Sequence, residues 1–144
     1  MKRIKQISVF IENRPGRLLE VVEILGKNGI NLKALSLADS SDFGIARLIA
    51  NGTDKAVSVL KENGFTVSVT NIVAALIDDK PGTLAGILSL LAENEINIEY
   101  MYGFASPIED KAVMVFKLSD LDKAQSLFNE KGIELLSQEE IREI

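Results

Sequence analysis

Apolar and polar positions alternate at the start of the chain. From Gln6 to Glu12, the apolar Ile7, Val9 and Ile11 fall on every second residue, which predicts a strand with one buried face. Arg14-Pro15-Gly16 breaks that pattern. Leu18, Val21, Val22 and Leu25 then follow helical spacing, and Gly29 ends the helix. Leu32 to Ala38 reads as a second strand, Asp39-Ser40-Ser41-Asp42 as a turn, and Gly44 to Asn51 as a third strand. Thr53 or Asp54 is placed to cap a helix carrying Ala56, Val57 and Leu60. Asn63-Gly64 closes it, and Phe65 to Val69 forms a fourth strand. The second half predicts strand 72–78, helix 82–94, strands 97–104 and 111–118, helix 120–131 and a short strand at 133–136. Ser137 and Glu140 have capping-box spacing for one last helical turn.

The halves share more than a pattern. Ile11, Pro15, Gly16, Leu18, Leu25, Asn28, Ile30 and Asn31 recur 66 residues later as Ile77, Pro81, Gly82, Leu84, Leu91, Asn94, Ile96 and Asn97. Asp54, Lys55, Ala56, Ser58, Glu62 and Gly64 recur 68 residues later as Asp122, Lys123, Ala124, Ser126, Glu130 and Gly132. Two residues are therefore inserted between these blocks, within Ala105 to Asp110. Insertions settle in loops, and Pro107 suits a turn there. The order is thus βαββαβ twice, over residues 1–70 and 71–144. Two interlocked right-handed crossovers make an α+β, ferredoxin-like module, with an antiparallel sheet and both helices on one face. The other face must be covered by a partner or stay polar. Almost no linker separates Val69 from Ile72, so the halves are expected to pack together rather than move freely.

Composition narrows the chemistry. A domain of about 70 residues is marginal alone, which again favours shared packing or pairing. With 47% hydrophobic and 26% charged residues, the chain is that of an ordinary globular protein. Neither cysteine nor histidine occurs, so a thiolate, an imidazole base and a His/Cys metal site are all excluded. No cofactor is expected. The net charge of −5 and the lack of a basic block beyond Lys2, Arg3 and Lys5 argue against nucleic acid. No apolar run approaches a membrane span or a signal segment, so a cytoplasmic protein without membrane contact is expected.

The loop between the first strand and helix is Glu12-Asn13-Arg14-Pro15-Gly16-Arg17-Leu18, and its twin is Asp78-Asp79-Lys80-Pro81-Gly82-Thr83-Leu84. Proline suits a helix's first turn, and glycine lets a ligand approach the backbone. The first amides of a helix have no internal partner and carry partial positive charge, so a carboxylate fits there without a basic side chain. Pro-Gly before a helix is also an ordinary tight connection, and duplication would copy such a turn as readily as a site.

The run Ile7 to Leu18 followed by Asn28-Gly-Ile-Asn31, and Ile72 to Leu84 followed by Asn94-Glu-Ile-Asn97, resembles the ACT domain, a small-molecule-binding regulatory module of amino-acid metabolism. The resemblance covers Gln6 to about Leu136 and leaves no room for a catalytic domain, so a stand-alone tandem ACT protein is implied. It implies a free amino acid as ligand, held where the first loop of one module faces the second strand of another. By that analogy Asn13 and Asn31 hold the α-amino and α-carboxylate groups, beside Arg14 and Pro15, while Gly16, Arg17 and Leu18 present amides. Asp79, Asn97, Lys80, Pro81, Gly82, Thr83 and Leu84 are the matching second set. An ionised Asp79 only accepts hydrogen bonds, so it suits an ammonium and repels a carboxylate. The two sites are expected to differ.

Each residue has a plainer role open to it. Asn31 and Asn97 can simply satisfy turns, and Arg14 and Arg17 can be solvated charges. Tyr100, Met101, Tyr102 and Phe104 make an aromatic strand suited to an interface or to a side-chain pocket. A homodimer is expected from an open sheet face or edge. The same fold without ligand would be a dimerisation or docking module for a metabolic enzyme. An acylphosphatase-like enzyme built on Asn13 and Arg14 lacks any nucleophile–base pair. A heavy-metal carrier would need cysteines. An RNA-recognition sheet would need aromatic and basic residues where Val9, Ile11, Ile45 and Leu48 stand.

Overall fold

The computed structural model describes residues 2–39 and 42–144. The elements are β1 (Ile4–Glu12), α1 (Arg17–Lys27), β2 (Leu32–Asp39), β3 (Phe43–Ala50), α2 (Thr53–Glu62), β4 (Thr66–Asp78), α3 (Thr83–Glu93), β5 (Ile98–Ala105), β6 (Lys111–Leu118), α4 (Leu121–Glu130), β7 (Glu134–Leu135) and α5 (Gln138–Glu143). Two compact units emerge, Lys5–Thr70 and Asn71–Ile144, with the N-terminal residues up to Ile4 belonging to the latter. The mixed fold of antiparallel sheet and helices is the ferredoxin-like plan in each unit. One boundary departs from the sequence pattern: the strands read as 65–69 and 72–78 are one continuous strand, β4. Thr70 and Asn71 are polar, so the pattern breaks there, but extended backbone continues regardless of side-chain polarity. The turn expected over Asp39 to Asp42 includes Ser40 and Ser41, which lie outside the described residues.

In the first unit the strand order is β2-β3-β1-β4. β3 runs antiparallel to both neighbours, with Val9 opposite Ala46 and Leu37 opposite Ala46 from the other side. Ile7, Val9 and Ile11 meet Val21 and Leu25 of α1 and Ala56, Val59 and Leu60 of α2 in one core. Both helices therefore cover the same face. Val22, which fits the helical spacing, is 37% exposed instead. Each fully buried Val or Leu contributes about 1.5–3 kcal/mol.

The second unit repeats this as β5-β6-β4, with β7 pairing β4 through Ala75–Leu135 and Leu76–Glu134. Its core joins Val73, Ala75 and Ile77 to Ile87 and Leu91 of α3 and Ala124 and Phe128 of α4. The Phe116 and Phe128 rings lie 6.3 Å apart. β2 and β5 both carry an irregularity near their starts, at Leu32/Ala34 and Ile98/Tyr100. The hairpin β5–β6 is two residues longer than β2–β3, which is where the insertion sits.

Helix ends explain several of the repeated residues. After α1 the amides of Gly29 and Ile30 bond back to Gly26 and Leu25, with Gly29 at φ 71°. This left-handed closing turn satisfies carbonyls the helix leaves free. Asn28 adds a side-chain bond to the Ile24 carbonyl, as Asn94 does to Leu90. Lys55 of α2 donates to the Asn28 carbonyl and Lys123 of α4 to that of Asn94, both at 2.7 Å, placing a cation at each helix's negative end. Capping at the other ends is uneven. Asp120 caps α4 through Lys123 N–H, whereas α2 begins behind Gly52 with no side-chain cap, so neither Thr53 nor Asp54 serves as one. Ser137 and Glu140 form both bonds of the capping box on α5.

Candidate functional site

The two Pro-Gly loops are built alike. β1 ends at Glu12, and the Asn13 N–H bonds the Asp42 carbonyl at 3.0 Å. Asp79 N–H bonds the Asp110 carbonyl at 2.8 Å. Each loop is thus fixed to the tip of its own unit's β-hairpin. Gly16 and Gly82 cap the following helices at φ 88° and 91°, in the left-handed region that favours glycine. A Cβ on either would meet nothing within 4 Å, so the space above both helix ends is open.

The helix amides are only partly free. Arg17 and Thr83 donate to the carbonyls of Arg14 and Lys80 over a long 3.4 Å. Among the described residues, no backbone carbonyl accepts from Leu18 and Leu19, or from Leu84 and Ala85. Of the motif's amides, those of Arg17 and Thr83 are taken by the loop, those of Leu18 and Leu84 stay open, and those of Leu19 and Ala85 join them. Leu19 and Ala85 escape a motif reading because their side chains carry no signal of what their backbone does.

The charged side chains at the loops are already engaged. Arg14 bonds Glu12 at 2.8 Å in open solvent. Arg17 is neither a solvated charge nor a free anion clamp: its side chain is 18% exposed, lies 4.7 Å over the Phe65 ring, and pairs with Glu12 and Glu20. In the second loop, Lys111 and Lys80 both pair with Asp78. The Lys111 hydrogen bond holds the Asp78 carboxyl below the usual carboxylate range and raises Lys111 in turn. A cavity of about 350 Å³ lies here, lined by Asp78, Asp79, Lys80 and Asp110. Asp78, Asp79 and Asp110 make it a poorer place for a carboxylate than the first loop, where the matching Glu12, Asn13 and Asp42 supply two carboxylates.

Asn31 and Asn97 stand elsewhere. Asn31 N–H donates to Asn51 Oδ1, and Asn51 N–H returns a bond to the Asn31 carbonyl. Ser119 does the same for Asn97. Both asparagine side chains are exposed. Asn31 precedes β2 while Asn13 is tied to the hairpin that follows it. Eight strand residues separate those ends, roughly 25 Å at the usual rise. The same holds for Asn97 and Asp79 across β5. Within one unit the two halves of the expected site are therefore not brought together. Tyr100, Tyr102 and Phe104 share one face of β5, half-buried, while Met101 turns to the helices and packs against the core.

The family model for the ACT domain pair matches residues 2–144. The chain belongs to the ACT family. No curated protein matches it. Among solved structures, this ACT pair is similar to protein BT0572 from Bacteroides thetaiotaomicron, with 41% identity, a TM-score of 0.93, and coverage of 99% of this chain and 97% of that one. The regulatory subunit of aspartate kinase from Thermus thermophilus, in its ligand-free form, shares the fold at 16% identity and TM-score 0.64, covering 90% and 93% of the two chains. The corresponding subunit from Thermus flavus gives 18%, 0.65 and 90% of each. The ACT pair has no helix among its described residues long and apolar enough to cross a membrane.

Proposed function

We propose that this ACT pair is a non-catalytic regulatory protein that binds a free amino acid, and that residues 1–70 and 71–144 act as its two modules. The observation that carries this is the open end of α1: the amides of Leu18 and Leu19, from which no backbone carbonyl among the described residues accepts, behind a left-handed Gly16 with empty space above it. An α-carboxylate is the natural occupant of such a helix end. The separation of Asn13 and Asn31 adds a constraint. A small ligand that touches both cannot draw them from a single unit. The likeness to aspartate kinase regulatory subunits supports the same class of role, with the bound state passed to a metabolic enzyme. The acidic second loop, with Asp79 where Asn13 stands, favours the first loop as the working site.

The test is calorimetry with a panel of amino acids, on the parent chain and on two variants. Gly16→Asn and Gly16→Asp suffer similar left-handed strain, but only aspartate adds a negative charge at the helix end. We expect Gly16→Asp to abolish binding and Gly16→Asn to weaken it less, both with native circular dichroism. Equal affinities in all three would place the ligand elsewhere. Absent heats across the whole panel would favour a ligand-free docking module.

A further inference from the structure

The two copies differ most in what fills the groove beside the first helix of each. In the first unit the Arg17 side chain occupies it, stacked on Phe65 and paired with Glu12 and Glu20. In the second, the matching positions are Thr83, Ile133, Asp78 and Gly86. The plug is absent at three of the four points: the long cation is replaced by threonine, the ring by isoleucine and Glu20 by glycine, while Asp78 keeps the carboxylate. What remains is empty. A cavity of about 420 Å³ runs along α3 past Thr83, Gly86, Ile87, Leu90, Lys131 and Ile133. A second, of about 250 Å³, shares Thr83, Ile87 and Ile133 with it and reaches Asp78 and Glu134. The larger volume is in the range of small-molecule sites. Thr83 Oγ1 is buried without a hydrogen-bond partner among the described residues, and a buried unpaired hydroxyl is costly.

We propose that this groove binds a small aliphatic guanidine or amine, a free molecule with the chemistry that Arg17 supplies to the first unit. The apolar wall of Ile87, Leu90 and Ile133 suits a methylene stem, as the first unit suits the stem of arginine. Thr83 Oγ1 can accept from the cationic head. Across the two cavities the carboxylates of Asp78, Glu93 and Glu134 outnumber the lysines, Lys111 and Lys131. The site is independent of the amino-acid reading above, since such a ligand needs no helix amides.

The probe is agmatine, which carries a guanidinium and an amine but no carboxylate and so cannot take the carboxylate position at the start of α1; shifts confined to Asp79, Lys80 and Asp110 would place it in the acidic second loop and overturn the groove. Methyl-detected NMR titration of the full chain should show saturable shifts at Ile87, Leu90 and Ile133. The double substitution Thr83→Arg with Ile133→Phe rebuilds the plug and should raise Tm and weaken binding at least tenfold. Should that variant misfold, Gly86→Leu fills the groove from a position where a Cβ meets nothing within 4 Å, and should weaken binding similarly. No saturable shift in the parent chain, or unchanged affinity in Gly86→Leu, overturns the proposal.

Discussion

Single residues show how one repeated sequence was tuned in two directions. Four helices end in the same left-handed turn, with Gly29, Gly64 and Gly132 at positive φ in three of them. The fourth has Glu95 at φ 56°, where a side chain crowds the backbone. Glu95→Gly should therefore raise stability by about 0.5–1 kcal/mol, read as a higher urea midpoint at unchanged slope. A lower midpoint would mean that the Glu95 side chain has a compensating role. Arg17 and Thr83 give the opposite contrast. Arg17→Ala removes the cation over Phe65 and the cover it provides, a loss of about 1–2 kcal/mol. Thr83→Ala removes an unpaired hydroxyl and should cost much less, or nothing. Equal losses in urea melts would reject the distinct roles assigned to the two residues.

Among the elements, α5 is held by a buried apolar anchor, a capping box and an ion pair. It has six residues, too few to persist by propensity. Ile141 is fully buried, the capping box closes its start, and Lys2 reaches Glu140 at 2.8 Å. Removing the Ser137 hydroxyl with Ser137→Ala should cost about 1 kcal/mol. The contacts also set a pH response. The Lys2 hydrogen bond, then the Ser137 amide, hold the Glu140 carboxyl below its ordinary value of 4.5. A depressed carboxylate contributes stability above its unfolded value and loses it as pH falls through the folded one. Acid should therefore loosen α5 below pH 4.5, seen as faster amide exchange at Ile141. Glu140→Gln should flatten that response, and an unaltered profile would assign it to another group.

For the whole molecule, the question is what meets the free edge of β2. Among the described residues it pairs with β3 alone. Leu35 and Leu37 oppose Leu48 and Ala46 in register, so they lie on the helix-covered face, yet they are 43% and 53% exposed. Leu19 and Val22 of α1 are exposed as well. A bare edge with an apolar flank is a surface for pairing. Antiparallel pairing of two such edges would bring the start of one strand beside the end of the other. That is what a ligand touching Asn13 and Asn31 requires. We expect a homodimer in analytical ultracentrifugation, and a shift to monomer with weaker amino-acid binding in Leu37→Glu. A monomer at all concentrations that still binds would confine the site to one chain.

The sequence by itself determined the duplicated βαββαβ order, the core-facing residues apart from Val22, and the place of the insertion. Each follows from periodicity or from spacing between copies, and both are properties of the chain alone. Ser137 and Glu140 were legible too, because a capping box is a contact between near neighbours. Only the tertiary structure decided that Arg17 is spent on Phe65, that Asn13 and Asn31 stand at opposite ends of β2, and that β4 runs unbroken from Thr66 to Asp78. The first two depend on partners dozens of residues away. The third depends on hydrogen bonds to other strands, which polar side chains at Thr70 and Asn71 do nothing to interrupt. A motif states which backbone groups are exposed to choice; the packed chain selects which of them remain free.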